Sequence, residues 1–364
     1  MRFLLILPLV GACDLLKEIG DDDSSTLLTE EGEVVTESGV ATVEVDIDSV
    51  ETSFMITADG EHLVSVDEII DPNGSTVLKW DEWTGTDNNL TSAIYPSASE
   101  MVLNWPIRPE DAQVKRGKWR VILSAVNSSG RYQSGSRIKV TVQTKDDSDF
   151  LNGTVNVRLV YAAGVGDNPA VVSAMEAGIE RWMDIWAPYG LTPSVRSENS
   201  NFDPNLPYPG EGSEEIYDLV MDSYEDEITM IIGETIRGGT SYLGVAGSIP
   251  GTLTANTRSA VVISWLASAG TDGSFQDMDI TILGETMAHE VGHYMGLFHP
   301  VEQTWSTWDA CDDTPDCITE GDCTNKLGDN LMFPTPVCTF DGCIEQDQLS
   351  AVQEGILHRY TGTL

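Results

Sequence analysis

Apolar positions recur with two different periods along this chain, and the change falls near residue 150. Upstream the period is two. Val43, Val45 and Ile47 alternate with polar residues, and so do Phe54 and Ile56. The same holds for Met101, Leu103 and Trp105, for Trp119, Val121, Leu123 and Ala125, and for Ile138, Val140 and Val142. Alternation of this kind predicts half-buried strands. Asp71-Pro72-Asn73-Gly74 is a turn signal, after which Val77 and Leu78 resume the pattern. Roughly seven or eight short strands across residues 41–148 predict an antiparallel β-sandwich.

Downstream the pattern mixes. Val155, Val157, Leu159 and Tyr161 read as a strand. Val172, Met175, Ile179, Trp182 and Trp186 share one helical face, which Pro188 and Gly190 bring to an end. Residues 195–225 carry several Pro, Gly and Asn and predict a long loop. Ile228 to Ile232 and Val261 to Trp265 predict buried strands, and a helix is expected from about Ile280. Little regular pattern follows until Gln346–Tyr360, where Leu349, Val352, Ile356 and Leu357 suggest a closing helix. The domain boundaries expected are 1–13, 14–40, 41–148 and 149–364.

Composition narrows the function classes. Lys and Arg number 19 against 59 Asp and Glu, a formal net charge of −40 over 364 residues. Nucleic acid and anionic membrane surfaces select for basic residues, so neither is an expected partner. The carboxylates leave Ca²⁺ open as an additional cofactor, although no D-x-D-x-D-G loop occurs. The amino terminus reads as a signal peptide: Met1-Arg2, then a short apolar run from Phe3 to Val10. It closes on Leu9-Val10-Gly11-Ala12-Cys13, which resembles the lipobox of bacterial lipoproteins. That resemblance implies lipidation at Cys13, export, and a lipid anchor facing the periplasm or cell exterior; the alternative is cleavage near Ala12 with Cys13 incidental. Residues 14–40 are acidic and rich in Ser, Thr and Gly, which suggests a flexible tether, or else a propeptide. The other five cysteines, Cys311, Cys317, Cys323, Cys338 and Cys343, are disulfide candidates clustered in a pattern-poor region. Their odd number leaves one thiol over, and a second zinc site is the alternative.

The chemistry concentrates in Thr286-Met287-Ala288-His289-Glu290-Val291-Gly292-His293-Tyr294-Met295-Gly296-Leu297-Phe298-His299. His289 and His293, four residues apart on a helix, project from one face and can grip one metal ion. Gly296 lets the chain turn out of the helix and bring His299 round as a third nitrogen. Three histidines leave Zn²⁺ an open position for water, as catalytic sites require, and Glu290 is placed to take a proton from it. The remaining histidines, His62 and His358, read as surface residues. Trp80, Trp83 and Trp105 suggest core packing, or a sugar platform.

The H-E-x-x-H-x-x-G-x-x-H run resembles that of the metzincin zinc proteases. Its flanks are similar to the pappalysin family, including cytophagalysin-like members, over roughly residues 153–364. The similarity rests on Leu243-Gly244-Val245-Ala246 followed by Pro250, on Ala260 to Ile263, on Asp312-Asp313-Thr314-Pro315 and on Asn330-Leu331-Met332-Phe333. It implies an α+β catalytic domain with a twisted sheet behind the active-site helix and an irregular carboxy-terminal subdomain. It further implies zinc endopeptidase activity on proteins or peptides, Met332 as the Met-turn residue beneath the histidines, and substrate binding along Leu243, Gly244, Val245 and Ala246. Phe333 and Pro334 stand where relatives often carry an acidic residue and then a tyrosine. The competing expectation is a surface-anchored binding or adhesion lipoprotein in which the β-sandwich carries the main role.

Overall fold

The computed structural model describes residues 26–48, 51–146, 150–270, 273–340 and 342–364. The signal segment 1–13, with Cys13, and residues 14–25 of the expected tether lie outside these.

Strands β1 (Thr26–Val35), β2 (Val40–Ile47), β3 (Glu51–Gly60), β4 (Leu63–Ile70), β5 (Thr76–Lys79), β6 (Glu100–Trp105), β7 (Gly117–Val126) and β8 (Arg137–Asp146) occupy the first part. They form two four-stranded antiparallel sheets, ordered β1-β8-β3-β6 and β2-β7-β4-β5. The alternating apolar residues of both sheets meet in one buried cluster: Val43 and Val45, Phe54 and Ile56, Leu103, Trp119 and Val121, Ile138. Pairings such as Phe54↔Trp105 and Ile56↔Leu103 set the register that keeps these side chains inward.

Strand β1 corrects the tether expectation. Residues 26–35 pair with β8 along their whole length. Their acidic composition suggested a solvated linker, but backbone pairing does not depend on side-chain charge, and Val34 is buried. Trp105 is buried in the core, while Trp83 holds the Arg108 guanidinium 5.1 Å from its ring centre. The tryptophans therefore form no shared platform.

The second part is built on a five-stranded sheet. Its strands are β9 (Gly153–Tyr161), β10 (Leu191–Asn199), β11 (Glu227–Gly233), β12 (Gly244–Ala246) and β13 (Val261–Ser264), in the order β10-β9-β11-β13-β12. Neighbours pair in parallel except β12, which runs antiparallel to β13 at one edge. All seven residues of β11 are buried, as its near-continuous apolar sequence requires. Helices α1 (Pro169–Trp186) and α3 (Asp277–Tyr294) pack on this sheet. They approach closely because Gly178 and Gly284 lie at the contact: a β-carbon on Gly178 would sit 3.1 Å from Leu283 Cγ, and one on Gly284 would sit 2.6 Å from Arg181 Cβ. Asn168 caps α1 through a 3.1 Å bond from the Ala170 amide, and Gln276 with Asp279 forms a capping box that starts α3 three residues earlier than expected.

The long loop expected over 195–225 is also corrected. It contains the end of β10 and the helix α2 (Glu214–Val220). As a sheet-edge strand with alternate residues exposed, β10 has a polar sequence that hid it. The closing helix is α5 (Ala351–Arg359), after α4 (Glu320–Leu327). His358 on α5 is 1% exposed, and its Nε2 lies 2.8 Å from the Tyr189 carbonyl oxygen, so it is no surface residue. Its helix packs against the main core, and the hydrophobic spacing alone did not say how much of α5 was covered.

The two parts are welded together. Met55 and Val102 of the first sheets belong to the buried cluster of the second part. Lys145, fully buried, donates to the carbonyls of His358 and Thr363 at 2.8 Å each. Asn104 donates to the Arg359 carbonyl (2.8 Å) and accepts from the Thr361 amide (2.8 Å). Such bonds meet the cost of burying these polar groups only if both surfaces stay together.

Candidate metal centre

Helix α3 carries His289, Glu290 and His293 on its last turns. The chain leaves it at Gly296, whose φ of +116° is a left-handed conformation that favours glycine. That turn brings His299 back over the helix end. The Nε2 atoms of His293 and His299 lie 3.0 Å apart, and those of His299 and His289 lie 3.3 Å apart. All three ligand atoms fall within 4.8 Å of one another.

Each ring is oriented by a partner at its other nitrogen. His289 Nδ1 donates to the Leu331 carbonyl (2.7 Å), His293 Nδ1 to the Leu297 carbonyl (2.6 Å) and His299 Nδ1 to Glu302 Oε2 (2.9 Å). An acceptor at Nδ1 keeps the proton there and leaves Nε2 with a free lone pair. Burial, then the neighbouring His299, pulls His289 down to about 3, and burial with both neighbours holds His293 well below its ordinary value. The three Nε2 atoms thus converge on one point, an arrangement suited to a cation between them. Three nitrogens bound tetrahedrally to Zn²⁺ at ~2.0–2.1 Å are about 3.3–3.4 Å apart, and the observed separations fit that set.

Glu290 is 8% exposed and lines a cleft with His289. Burial pushes its carboxyl up to about 8, against a bond from the Ala246 amide that lowers it; a divalent cation alongside would draw the value down. Gly244 of the edge strand β12 lies directly over it: a β-carbon there would stand 2.6 Å from Glu290 Cγ. The cleft, a cavity of about 380 Å³, has Ser241 to Gly244 on one wall, α3 as its floor and Phe333 to Pro336 on the other wall. Of the expected substrate-binding residues, Leu243 and Gly244 line this cleft, Val245 points into the core, and Ala246 lies farther along the edge.

Met332 is fully buried beneath the helix, with its sulfur 2.9 Å from where a Gly292 β-carbon would be. Asn330 shapes that turn, accepting from the Met332 amide at 2.9 Å and donating to Gln353 Oε1 at 2.8 Å. Phe333 stacks on Trp305 with ring centres 6.1 Å apart. Asp313 of the Asp-Thr-Pro run accepts from Ser350 Oγ (2.7 Å) and the Val352 amide (3.0 Å), tying the irregular segment to the start of α5. Two disulfides join Cys317 to Cys323 and Cys338 to Cys343, and Cys311 is a buried free thiol. Sequence reasoning missed Glu302, Asn330 as a turn-former, and Gln353. Glu302, an acid three residues after the third histidine, was the one with a readable signal.

No family model matches the sequence, and neither does any curated protein. Among solved structures the chain is similar to metalloproteinase-II from Bacteroides fragilis, at 14% identity and TM-score 0.30, over 50% of this chain and 54% of that one. It is also similar to archaemetzincin from Methanopyrus kandleri, at 14% identity and TM-score 0.29, over 57% of this chain and 89% of that one. The chain thus spans about half the length of the Bacteroides protein. Likeness at this level carries no argument about activity, which is left to the geometry of the site.

Proposed function

We propose that this chain is a zinc-dependent endopeptidase of metzincin type, with the pappalysin-like features of its sequence, acting on protein or peptide substrates. The observation that carries the reading is the convergence of three Nδ1-anchored histidines beside a buried glutamate, at the head of a cleft bordered by a free strand edge. The five-stranded sheet behind α3 and the irregular segment after His299 support a metzincin catalytic domain. The shared core of the two antiparallel sheets supports a β-sandwich module in front of it.

His289, His293 and His299 would hold Zn²⁺, which when bound would supply the Lewis acidity that acidifies water and polarises the scissile carbonyl. Glu290 accepts a proton from the attacking water on its carboxylate and passes it to the departing amine. An extended substrate adds to the open edge of β12 as an antiparallel strand, so main-chain bonds set its register over the site. Met332 and Gly292 close the floor beneath the histidines, and the carbonyls of Leu331 and Leu297 with Glu302 keep the rings aimed.

Export is part of the proposal. Two disulfides fit an oxidising compartment, and the lipobox-like run at Cys13 would anchor the chain by lipid. Among the described residues no helix is long and apolar enough to cross a membrane. The decisive experiment incubates the full chain with an unfolded protein mixture and compares it with Glu290→Gln, with and without a chelator. Cleavage lost in the variant and on chelation, with zinc still bound to Glu290→Gln, is the expected result. Undiminished cleavage by the variant would overturn the mechanism. An inert but zinc-loaded wild type would instead favour the surface-binding reading.

A further inference from the structure

A second cavity, about 200 Å³, continues from the active-site edge strand into the seam between the two parts of the molecule. One wall is Ala246 to Ile249, the chain that runs on from β12. The other is Ser92, Ala93, Tyr95 and Ser97 with Glu100, all from the first part. Tyr208 stands at the junction, since it lines the second cavity and its ring centre lies 5.7 Å from that of Tyr242, which lines the first. The seam is closed beyond by the Ser92 amide, which donates to the Ile249 carbonyl at 2.9 Å.

Arg258 lines this groove. Its guanidinium is half-buried and has no ion pair within 4.0 Å and no side-chain hydrogen bond among the described residues, in a molecule with 59 acidic residues. Glu100 is the carboxylate that acts on it, but both of its oxygens are engaged by Thr257, at 3.1 Å from the amide and 2.7 Å from the hydroxyl. The loop bearing Arg258 is rigid: its amide donates to Asn256 Oδ1 at 2.7 Å, and its carbonyl packs so tightly on Gly247 that a β-carbon there would sit 1.8 Å away. A guanidinium with free donors, carried on a firmly held backbone and reached along the path of an extended chain, is a receptor for a carboxylate.

We propose that Arg258 is a specificity-determining residue that binds an Asp or Glu side chain of the substrate on the amino-terminal side of the scissile bond. The far wall of the subsite comes from the first part of the molecule, through Ser92, Ala93, Tyr95 and Ser97, while Thr257 occupies both oxygens of Glu100. The proposal rests on the peptidase reading for its direction: a peptide antiparallel to β12 runs from Ala246 toward Gly244, so residues over Ala246 to Ile249 precede the cleaved bond.

The test separates binding from cleavage. Fluorescent peptides of one sequence, carrying either Glu or Gln at each upstream position in turn, are titrated into zinc-loaded full chain with Glu290→Gln, which holds substrate without turning it over. The Glu peptide should bind about fivefold to tenfold more tightly at one upstream position. Adding Arg258→Gln should erase that preference while leaving the Gln peptides unchanged, and Arg258→Glu should turn it toward Lys. The wild-type preference needs no variant and so is safe against misfolding. No Glu preference at any upstream position, or a preference that survives Arg258→Gln in a folded chain, overturns the subsite. A preference that depends on Arg258 in a chain that cleaves nothing would leave the subsite standing and remove the peptidase reading.

Discussion

Gly244 is the position at which a single methyl group tests the geometry of the site. In Gly244→Ala the new carbon would sit 2.6 Å from Glu290 Cγ and 3.2 Å from its Cδ, with Ile263 Cδ1 at 2.9 Å on another side. Carbon atoms in contact prefer about 3.5–4.0 Å, so Glu290 or strand β12 has to yield by about 1 Å. The strand is held by its pairing with β13, and Ile263 blocks retreat on that side. The displacement therefore passes down the glutamate side chain to the carboxylate. A shift of about 1 Å in a reacting group can cost about 10²-fold in rate, or about 2.7 kcal/mol of barrier. Hydrolysis of a quenched fluorescent peptide should show that loss in kcat, with bound zinc unchanged and Tm lowered by only a few degrees. A folded, zinc-loaded variant with kcat within about twofold of wild type would refute the reasoning. A rise in KM alone would mean that the methyl obstructs the substrate strand and does not displace Glu290.

Glu302→Gln removes the charge from the acceptor that orients His299. Zinc affinity should fall about 10- to 100-fold by competition with a fluorescent chelator; unchanged affinity would show that the bond is incidental. Gly292→Ala drives a methyl against Met332 sulfur at 2.9 Å in a fully buried site, so a stability loss of about 1–3 kcal/mol is expected in denaturant unfolding, and none would mean that the floor is soft. Asp309 should make stability depend on pH. Burial pushes its carboxyl up to about 6, so the folded state keeps a proton that the unfolded chain, with a carboxyl near ~3.9, releases. The stabilisation from this group is full below about pH 4 and is lost as pH rises through about 6, a change of about 3 kcal/mol. Asp309→Asn should flatten that part of the Tm–pH curve, and an unaltered slope would reject the assignment.

Much of the architecture was readable where packing has a short period. Val43, Val45, Phe54, Ile56, Trp119 and Val121 announced their burial by alternation, and Met175, Trp182 and Trp186 by helical spacing. The three-histidine cluster was readable because helix geometry alone brings His289 and His293 together, and Gly296 marks the turn to His299. What stayed hidden depends on partners distant in sequence. β1 is recruited by backbone pairing to β8, more than a hundred residues away, and its acidic side chains said nothing of that. His358 is buried by contact with Tyr189, and Arg258 becomes a groove residue only when residues 92–100 arrive opposite it. Local pattern reports how a segment is covered, not by what.

That distinction bears on how the molecule can be dissected. Residues 41–148 and 149–364 look separable by pattern, yet the second part relies on the first for closure. Removing the first part would strip Asn104 from the Arg359 carbonyl and the Thr361 amide, and Lys145 from two further carbonyls. It would also uncover the core reached by Met55 and Val102. Each orphaned buried polar group costs about 1–3 kcal/mol, and several lost together approach the whole stability of a typical domain. The loop that holds Arg258 would lose Glu100 as well. An isolated carboxy-terminal fragment that failed to cleave would therefore report lost folding rather than a non-catalytic site, and the intact chain is the unit in which the proposed zinc chemistry and the proposed substrate selection have to be measured.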